Sequence, residues 1–73
     1  MGRRPQLSAL QREVLAIAYR LKRRDEELEA GKGTPVGLMT ARALVKKGLL
    51  QDVGDGFYTI TPLGAASIEG EGA

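Results

Sequence analysis

The fold is decided by residues Ala41–Gly64, with the sequence ARALVKKGLLQDVGDGFYTITPLG. A helix-like pattern ends at Gly48, two short β-prone runs follow, and the dipeptide Thr61-Pro62 has the pattern that opens a new helix. Between the two runs lies Gly54-Asp55-Gly56, a loop of hairpin length whose residues tolerate positive φ. This order predicts a helix, a β-hairpin over Leu49–Thr61, and a further helix.

Upstream of this stretch, the chain shows the pattern of an amphipathic helix. Ser8 and Gln11 have the spacing of a capping box, so the helix is expected to begin near residue 8. The helix is expected to end either near residue 24 or near residue 30. The charged Arg24 occupies the next position of the apolar stripe, which favours the earlier end, whereas Leu28 continues the apolar spacing and favours the later one. The apolar stripe has the three-then-four spacing of one helix face and consists of Leu7, Leu10, Val14, Ile17 and Leu21.

A second helix is predicted over residues 35–47. Thr34-Pro35 resembles an N-cap followed by proline in the first turn, and Gly48 suits the left-handed residue just beyond the helix end. Its buried face is expected to hold Leu38, Ala41, Leu44 and Val45. Five residues fall outside that face, namely Thr40, Arg42, Ala43, Lys46 and Lys47.

The remaining boundaries divide the chain into one domain with two short tails. Residues 1–6 are expected to form a flexible basic arm, residues 7–69 the domain, with a short closing helix over residues 63–69, and residues 70–73 a disordered tail. The overall prediction is α+β. It comprises a long N-terminal helix, a second helix, a two-stranded hairpin and a short C-terminal helix.

Composition excludes several classes of function. The chain has 73 residues, no Cys and no His, so it can form one small core without disulfides, and it lacks the ordinary nucleophile and base of covalent catalysis. We therefore expect no enzyme activity, no metal site, no cofactor and no small-molecule ligand. The absence of Cys, of an apolar leader and of a run of about 20 apolar residues predicts a cytoplasmic protein without a membrane partner.

The net charge of +2 results from four alternating blocks of charge. Residues 1–24 carry seven basic groups against Glu13, and residues 32–48 carry four basic groups. Residues 25–31 and 49–73 carry four acidic groups each. Two basic patches of this kind suit a polyanion, because neutralising phosphates releases condensed counterions.

The chain resembles the winged helix-turn-helix DNA-binding domains, in a compact bacterial or phage type. The resemblance rests on residues 40–50, TARALVKKGLL, followed by a hairpin and by residues 58–64, YTITPLG. It implies a winged-helix fold with a shortened second helix, in which the helix over residues 35–47 enters the major groove of double-stranded DNA. It also implies a small transcriptional or phage-type regulator. The DNA-contacting residues it implies on that helix are Thr40, Arg42, Ala43, Lys46 and Lys47.

Other basic residues have two interpretations each. Arg3 and Arg4 are candidate DNA contacts of an N-terminal arm, or else solubilising terminal charges. Lys22 and Arg23 stand four residues before Glu26 and Glu27, which favours a self-neutralised helix face over a phosphate clamp.

The alternative function is a protein-protein interaction module on the same scaffold. The Leu7–Leu21 stripe has the spacing of a coiled-coil seam, which would allow a homodimer or binding of a host protein. The hairpin tip carries Asp52 and Asp55 and no basic residue, so it is not expected to contact DNA. Met39 and Val53 are the exposed apolar residues that such a module would use.

Overall fold

Within residues 7–72, the part of the chain that this computed structural model describes, three helices pack with a three-stranded antiparallel sheet. The helices are α1 (Ala9–Arg23), α2 (Leu38–Lys46) and α3 (Pro62–Gly72). The strands are β1 (Leu28–Glu29), β2 (Leu50–Gly54) and β3 (Phe57–Ile60), in the spatial order β1-β3-β2. The predicted α+β class is confirmed, and the arrangement is consistent with a small winged helix.

The core lies between α1, α2 and the sheet. On α1 the buried side chains are Val14, Leu15 and Ala18, whereas Leu10 is 55% exposed. Leu7, Ile17 and Leu21 of the predicted stripe pack against this core at its edge, so the prediction differs from the structure in omitting Leu15 and including Leu10. Because Val14 is packed inside the domain, this face is not available as a coiled-coil seam. The other buried apolar residues are Leu28, Ala30, Val36, Ala41, Leu44, Leu49, Leu50, Tyr58 and Ile60.

Helix α1 begins as predicted and takes the shorter of the two predicted ends. The Ser8 hydroxyl accepts a hydrogen bond from the Gln11 N–H, and the Gln11 side chain accepts one from the Ser8 N–H, each at 3.0 Å. The helix ends because Asp25 adopts the left-handed conformation with φ 61°, and the Glu26 N–H then reaches the Leu21 carbonyl at 2.8 Å. Glu26 therefore lies outside the helix, so the four-residue helical spacing that favoured its pairing with Lys22 does not apply.

The segment after this turn forms a strand instead of the shortened second helix that the resemblance implied between the first helix and the helix over residues 35–47. Leu28 pairs with Tyr58 and Glu29 with Phe57, which makes β1 the third strand of the sheet. Leu28 is buried and Glu29 is exposed, as alternation along a strand requires. Leu28, which continues the helical spacing of the apolar stripe in the sequence, therefore enters the core from a strand.

Helix α2 starts three residues later than predicted. The Thr34 hydroxyl lies 2.8 Å from the Gly31 carbonyl oxygen and 2.7 Å from that of Val36, and the Gly31 N–H donates to Val36 at 3.0 Å. These contacts close a loop that buries the Val36 side chain. Thr34 therefore stabilises the loop, and the N-cap of α2 is Gly37.

The connection from α2 to the hairpin follows the prediction. Gly48 has φ 77°, its N–H donates to Val45, and the Leu49 N–H donates to Leu44 at 3.0 Å, which together form a Schellman motif. The following hairpin closes through Asp55 and Gly56, both with positive φ as a two-residue type I′ turn requires.

Helix α3 is longer than predicted, since it extends to Gly72 instead of ending at Glu69 before a disordered tail. Its start is as predicted. The Thr61 hydroxyl accepts a hydrogen bond from the Gly64 N–H at 3.0 Å and donates one to the Gly48 carbonyl at 2.6 Å. Thr61 thus joins the beginning of α3 to the end of α2. Residues 1–6 and Ala73, and with them the predicted arm, lie outside the described residues.

Candidate nucleic-acid interface

The outer face of α2 presents a short row of side chains to solvent. Met39, Arg42, Ala43 and Lys46 recur at three- and four-residue spacing, which places them on one face of the helix. The opposite face is held in the core by Ala41 and Leu44, both with no exposed surface. Because this burial fixes the rotation of α2, the outward direction of the row is fixed too.

This row forms one wall of an open surface groove, and the hairpin forms the other. Asp52 and Tyr58 face α2 from directly paired positions on β2 and β3. Tyr58 is only 3% exposed and lies at the base of the groove, whereas Met39 is 85% exposed. The groove therefore combines a mainly apolar surface with two cationic side chains. Its lining residues are Met39, Arg42, Ala43, Val45, Lys46, Asp52 and Tyr58.

The structure brings together three of the seven predicted contact residues. Arg42, Ala43 and Lys46 line the groove, and both cationic side chains are exposed. Thr40 is half-buried in the first turn of α2, and Lys47 is exposed at the C-cap, so neither lines the groove. The arm residues Arg3 and Arg4 lie outside the described residues.

Four residues that line the groove were not among the predicted DNA contacts, namely Met39, Val45, Asp52 and Tyr58. The sequence did indicate that Met39 is exposed, but assigned it to the alternative protein-binding surface. Its position three residues before Arg42 and seven before Lys46 was the signal that it shares their face. Asp52 was assigned to the hairpin tip, and only the pairing register of β2 places it in the groove.

The two hairpin aspartates differ in position and in local structure. Asp52 Oδ1 accepts a hydrogen bond from the Gly54 N–H at 2.8 Å, and the carboxylate lines the groove that also holds Arg42 and Lys46. Asp55 occupies the turn itself with φ 56° and does not line the groove. Asp52 therefore offsets part of the positive potential of α2, whereas Asp55 acts from farther away.

A separate polar contact joins α1 to α3. The Tyr19 hydroxyl donates to Oε2 of Glu69 at 3.0 Å. This hydrogen bond raises the pKa of Tyr19, desolvation and the negative charge of Glu69 raise it further, and Arg23 opposes them. The contact lies on elements other than those that line the groove.

Among residues 7–72, no group of three His, Cys, Asp or Glu side chains lies close enough to hold a metal ion. No helix of that region has both the length and the apolar character needed to cross a bilayer.

Comparison of the chain with protein-family models, with curated proteins and with solved structures gives no significant match.

Proposed function

We propose that this protein binds double-stranded DNA through the outer face of α2 and acts as a small, non-enzymatic transcriptional regulator. The observation that carries the proposal is the placement of Arg42 and Lys46 on one exposed helix face whose rotation is fixed by Ala41 and Leu44. A helix of this kind fits the major groove, where arginine donates to guanine and lysine contacts phosphate. The winged-helix resemblance of residues 40–64 supports the same surface.

The hairpin limits the proposed interface to α2. The hairpin carries Asp52 and Asp55 and has no basic residue, so contacts between the hairpin and phosphates are unfavourable. A short interface with few cations predicts modest affinity and a salt slope of only a few units, because the slope scales with the number of phosphates neutralised. Two protein copies on neighbouring half-sites would increase the affinity, and the basic arm at Arg3 and Arg4 would add to it.

A second candidate function is supported by the apolar character of the groove. Met39 is 85% exposed beside the buried Tyr58, as in sites that accept a side chain of a protein partner. A protein-binding groove would tolerate loss of Arg42 and would not show the salt dependence of DNA binding. Duplex titration at two salt concentrations therefore separates the two functions.

Replacing Arg42 with alanine is expected to weaken binding to duplex DNA by about 5- to 150-fold, because a base-edge contact contributes about 1–3 kcal/mol. Lys46→Ala is expected to weaken binding to all duplexes alike and to reduce the salt slope by about one unit. Fluorescence anisotropy at 50 and 200 mM salt measures both quantities.

The matched control for Arg42→Ala is Arg20→Ala, which removes the same charge from an exposed position on α1 that does not line the groove. Little change is expected for this control. Equal losses for the two variants would show that net charge, and not the face of α2, governs binding. NMR shifts on residues 38–47 during titration with a duplex would provide a direct map, and their absence at low salt would exclude the DNA proposal.

Replacing Asp52 with asparagine is expected to tighten duplex binding by about threefold or more, because a negative charge beside Arg42 and Lys46 is removed. Asparagine keeps the Oδ1 acceptor for the Gly54 N–H, so the hairpin should be retained. Asp55→Asn changes the net charge equally and suits the positive φ of the turn, yet a smaller gain is expected. Competition titrations of the two variants on one duplex compare them, and equal gains would contradict a specific role for Asp52.

A further inference from the structure

Met39 is the most exposed of the large apolar side chains in the described part of the chain, at 85%. It shares the outward face of α2 with Arg42 and Lys46, and it lines the same groove. Burying an apolar side chain contributes favourably to binding in proportion to the area removed from water. A ligand therefore binds this surface most tightly when it offers an apolar group close to anionic or hydrogen-bond acceptor groups.

The major groove of DNA offers this combination. Phosphates are partners for Lys46 and Lys47, and the O6 and N7 atoms of guanine are partners for Arg42. The apolar group on the base edges is the 5-methyl group of thymine. Phosphate contacts alone would leave Met39 and Ala43 without complementary partners, so the mixed character of the face favours contact with base edges.

The spacing on the helix fits successive bases. Met39 and Ala43 are four residues apart on one face of α2, which corresponds to about 6 Å along the helix axis. Base pairs are stacked about 3.4 Å apart. The two apolar side chains therefore span about two base steps, with Arg42 between them in sequence.

We propose that Met39, assisted by Ala43, recognises thymine by contacting its 5-methyl group, beside a guanine contacted by Arg42. This inference rests on the proposed DNA-binding function. The preferred sites are accordingly mixed thymine and guanine steps. Met39 is then a specificity-determining residue, while Lys46 supplies affinity that does not depend on sequence.

The test uses two duplexes that differ only in the methyl group. One is a 20-base-pair duplex of alternating thymidine and deoxyguanosine with its complement, and the other has deoxyuridine in place of every thymidine. Removing methyl contacts is expected to weaken binding of the unaltered protein by about 3- to 10-fold. Met39→Ala and Met39→Gln are expected to lose most of the preference for the thymidine duplex, since only Ala43 remains to contact the methyl groups, with an unchanged salt slope.

The matched control is Val53→Ala, which truncates an exposed apolar side chain on the hairpin that does not line the groove. It is expected to retain the full preference for the thymidine duplex. Thermal melting verifies that each variant is folded, and Met39→Gln keeps side-chain length and helix propensity in case the truncation alters α2.

Each result decides between the proposals. Equal affinity of the unaltered protein for both duplexes, with salt-dependent loss in Arg42→Ala, overturns the role of Met39 and leaves the proposed function intact. A preference for thymidine that is undiminished in both Met39 variants also overturns it. No binding to either duplex in 50 mM salt overturns the proposed function and this inference together.

Discussion

Replacing Gly64 with alanine is expected to destabilise the domain severely. A Cβ at this position would overlap the carbonyl oxygen of Leu49 and would lie 2.7 Å from Cγ1 of Ile60. The Leu49 carbonyl is held in place because it accepts a hydrogen bond from the Thr61 N–H at 3.1 Å. Overpacking costs about 1–3 kcal/mol and more where backbone must move, so we expect a loss of at least about 3 kcal/mol in the free energy of unfolding.

Thermal melting monitored by circular dichroism measures this loss. For a domain of this size, about 3 kcal/mol corresponds to a decrease of at least about 12 °C in Tm. Gly70→Ala is the matched control, since it lies in the same helix and a Cβ there meets no atom within 4 Å. That variant is expected to be unchanged or up to about 1 kcal/mol more stable, because alanine favours the helix. Similar Tm values for the two variants would contradict the packing at Gly64.

The corner between β3 and α3 was predictable because its sequence signals are close together in the chain. Thr61, Pro62 and Gly64 lie within four positions and form the N-cap, the first helical residue and the point of closest contact with the preceding backbone. Gly48 likewise ends α2 through hydrogen bonds to residues within five positions of itself. Such signals are local, so the sequence is sufficient to place the elements of residues 41–64.

The segment between α1 and α2 was predicted poorly because its structure depends on distant partners. β1 has only two residues, too few for a period-two pattern, and it forms by pairing with β3 almost 30 positions later. The end of α1 uses Asp25 in the left-handed conformation, a position where glycine is the usual signal. Neither feature has a distinct local pattern.

Two identical dipeptides illustrate the limit of local signals. Thr61-Pro62 caps α3 because the Thr61 hydroxyl accepts from the Gly64 N–H. Thr34-Pro35 does not begin a helix, because the Thr34 hydroxyl faces two carbonyl oxygens of a closed loop instead. The difference comes from the need to bury Val36, which depends on the assembled core.

The candidate site was predicted in part for the same reason. Helical spacing is enough to place Arg42 and Lys46 on the exposed side of α2, and it also places Met39 there. The partner wall of the groove depends on strand register, because Val53 is an extra residue between the pairs Asp52–Tyr58 and Gly54–Phe57. The sequence therefore indicated the helix side of the groove but not the proximity of Asp52.

Replacing Leu15 with alanine is expected to lower the free energy of unfolding by about 2–5 kcal/mol, because a fully buried leucine is removed and a cavity remains. Leu15 has no exposed surface and lies in the cluster of Val14, Ala18 and Leu44. Small domains have modest total stability, so this loss is a large part of it. Urea titration monitored by circular dichroism gives the change in free energy.

Leu10→Ala is the control with the same substitution in the same helix, at a residue that is 55% exposed. The loss expected there is below about 1 kcal/mol. The pair also separates the observed core from a coiled-coil seam over residues 7–21. A seam would make Leu10 the costlier site, leave Leu15 nearly neutral, and make Tm depend on protein concentration. The packing of α1 against α2 and the sheet requires the reverse order of the two losses.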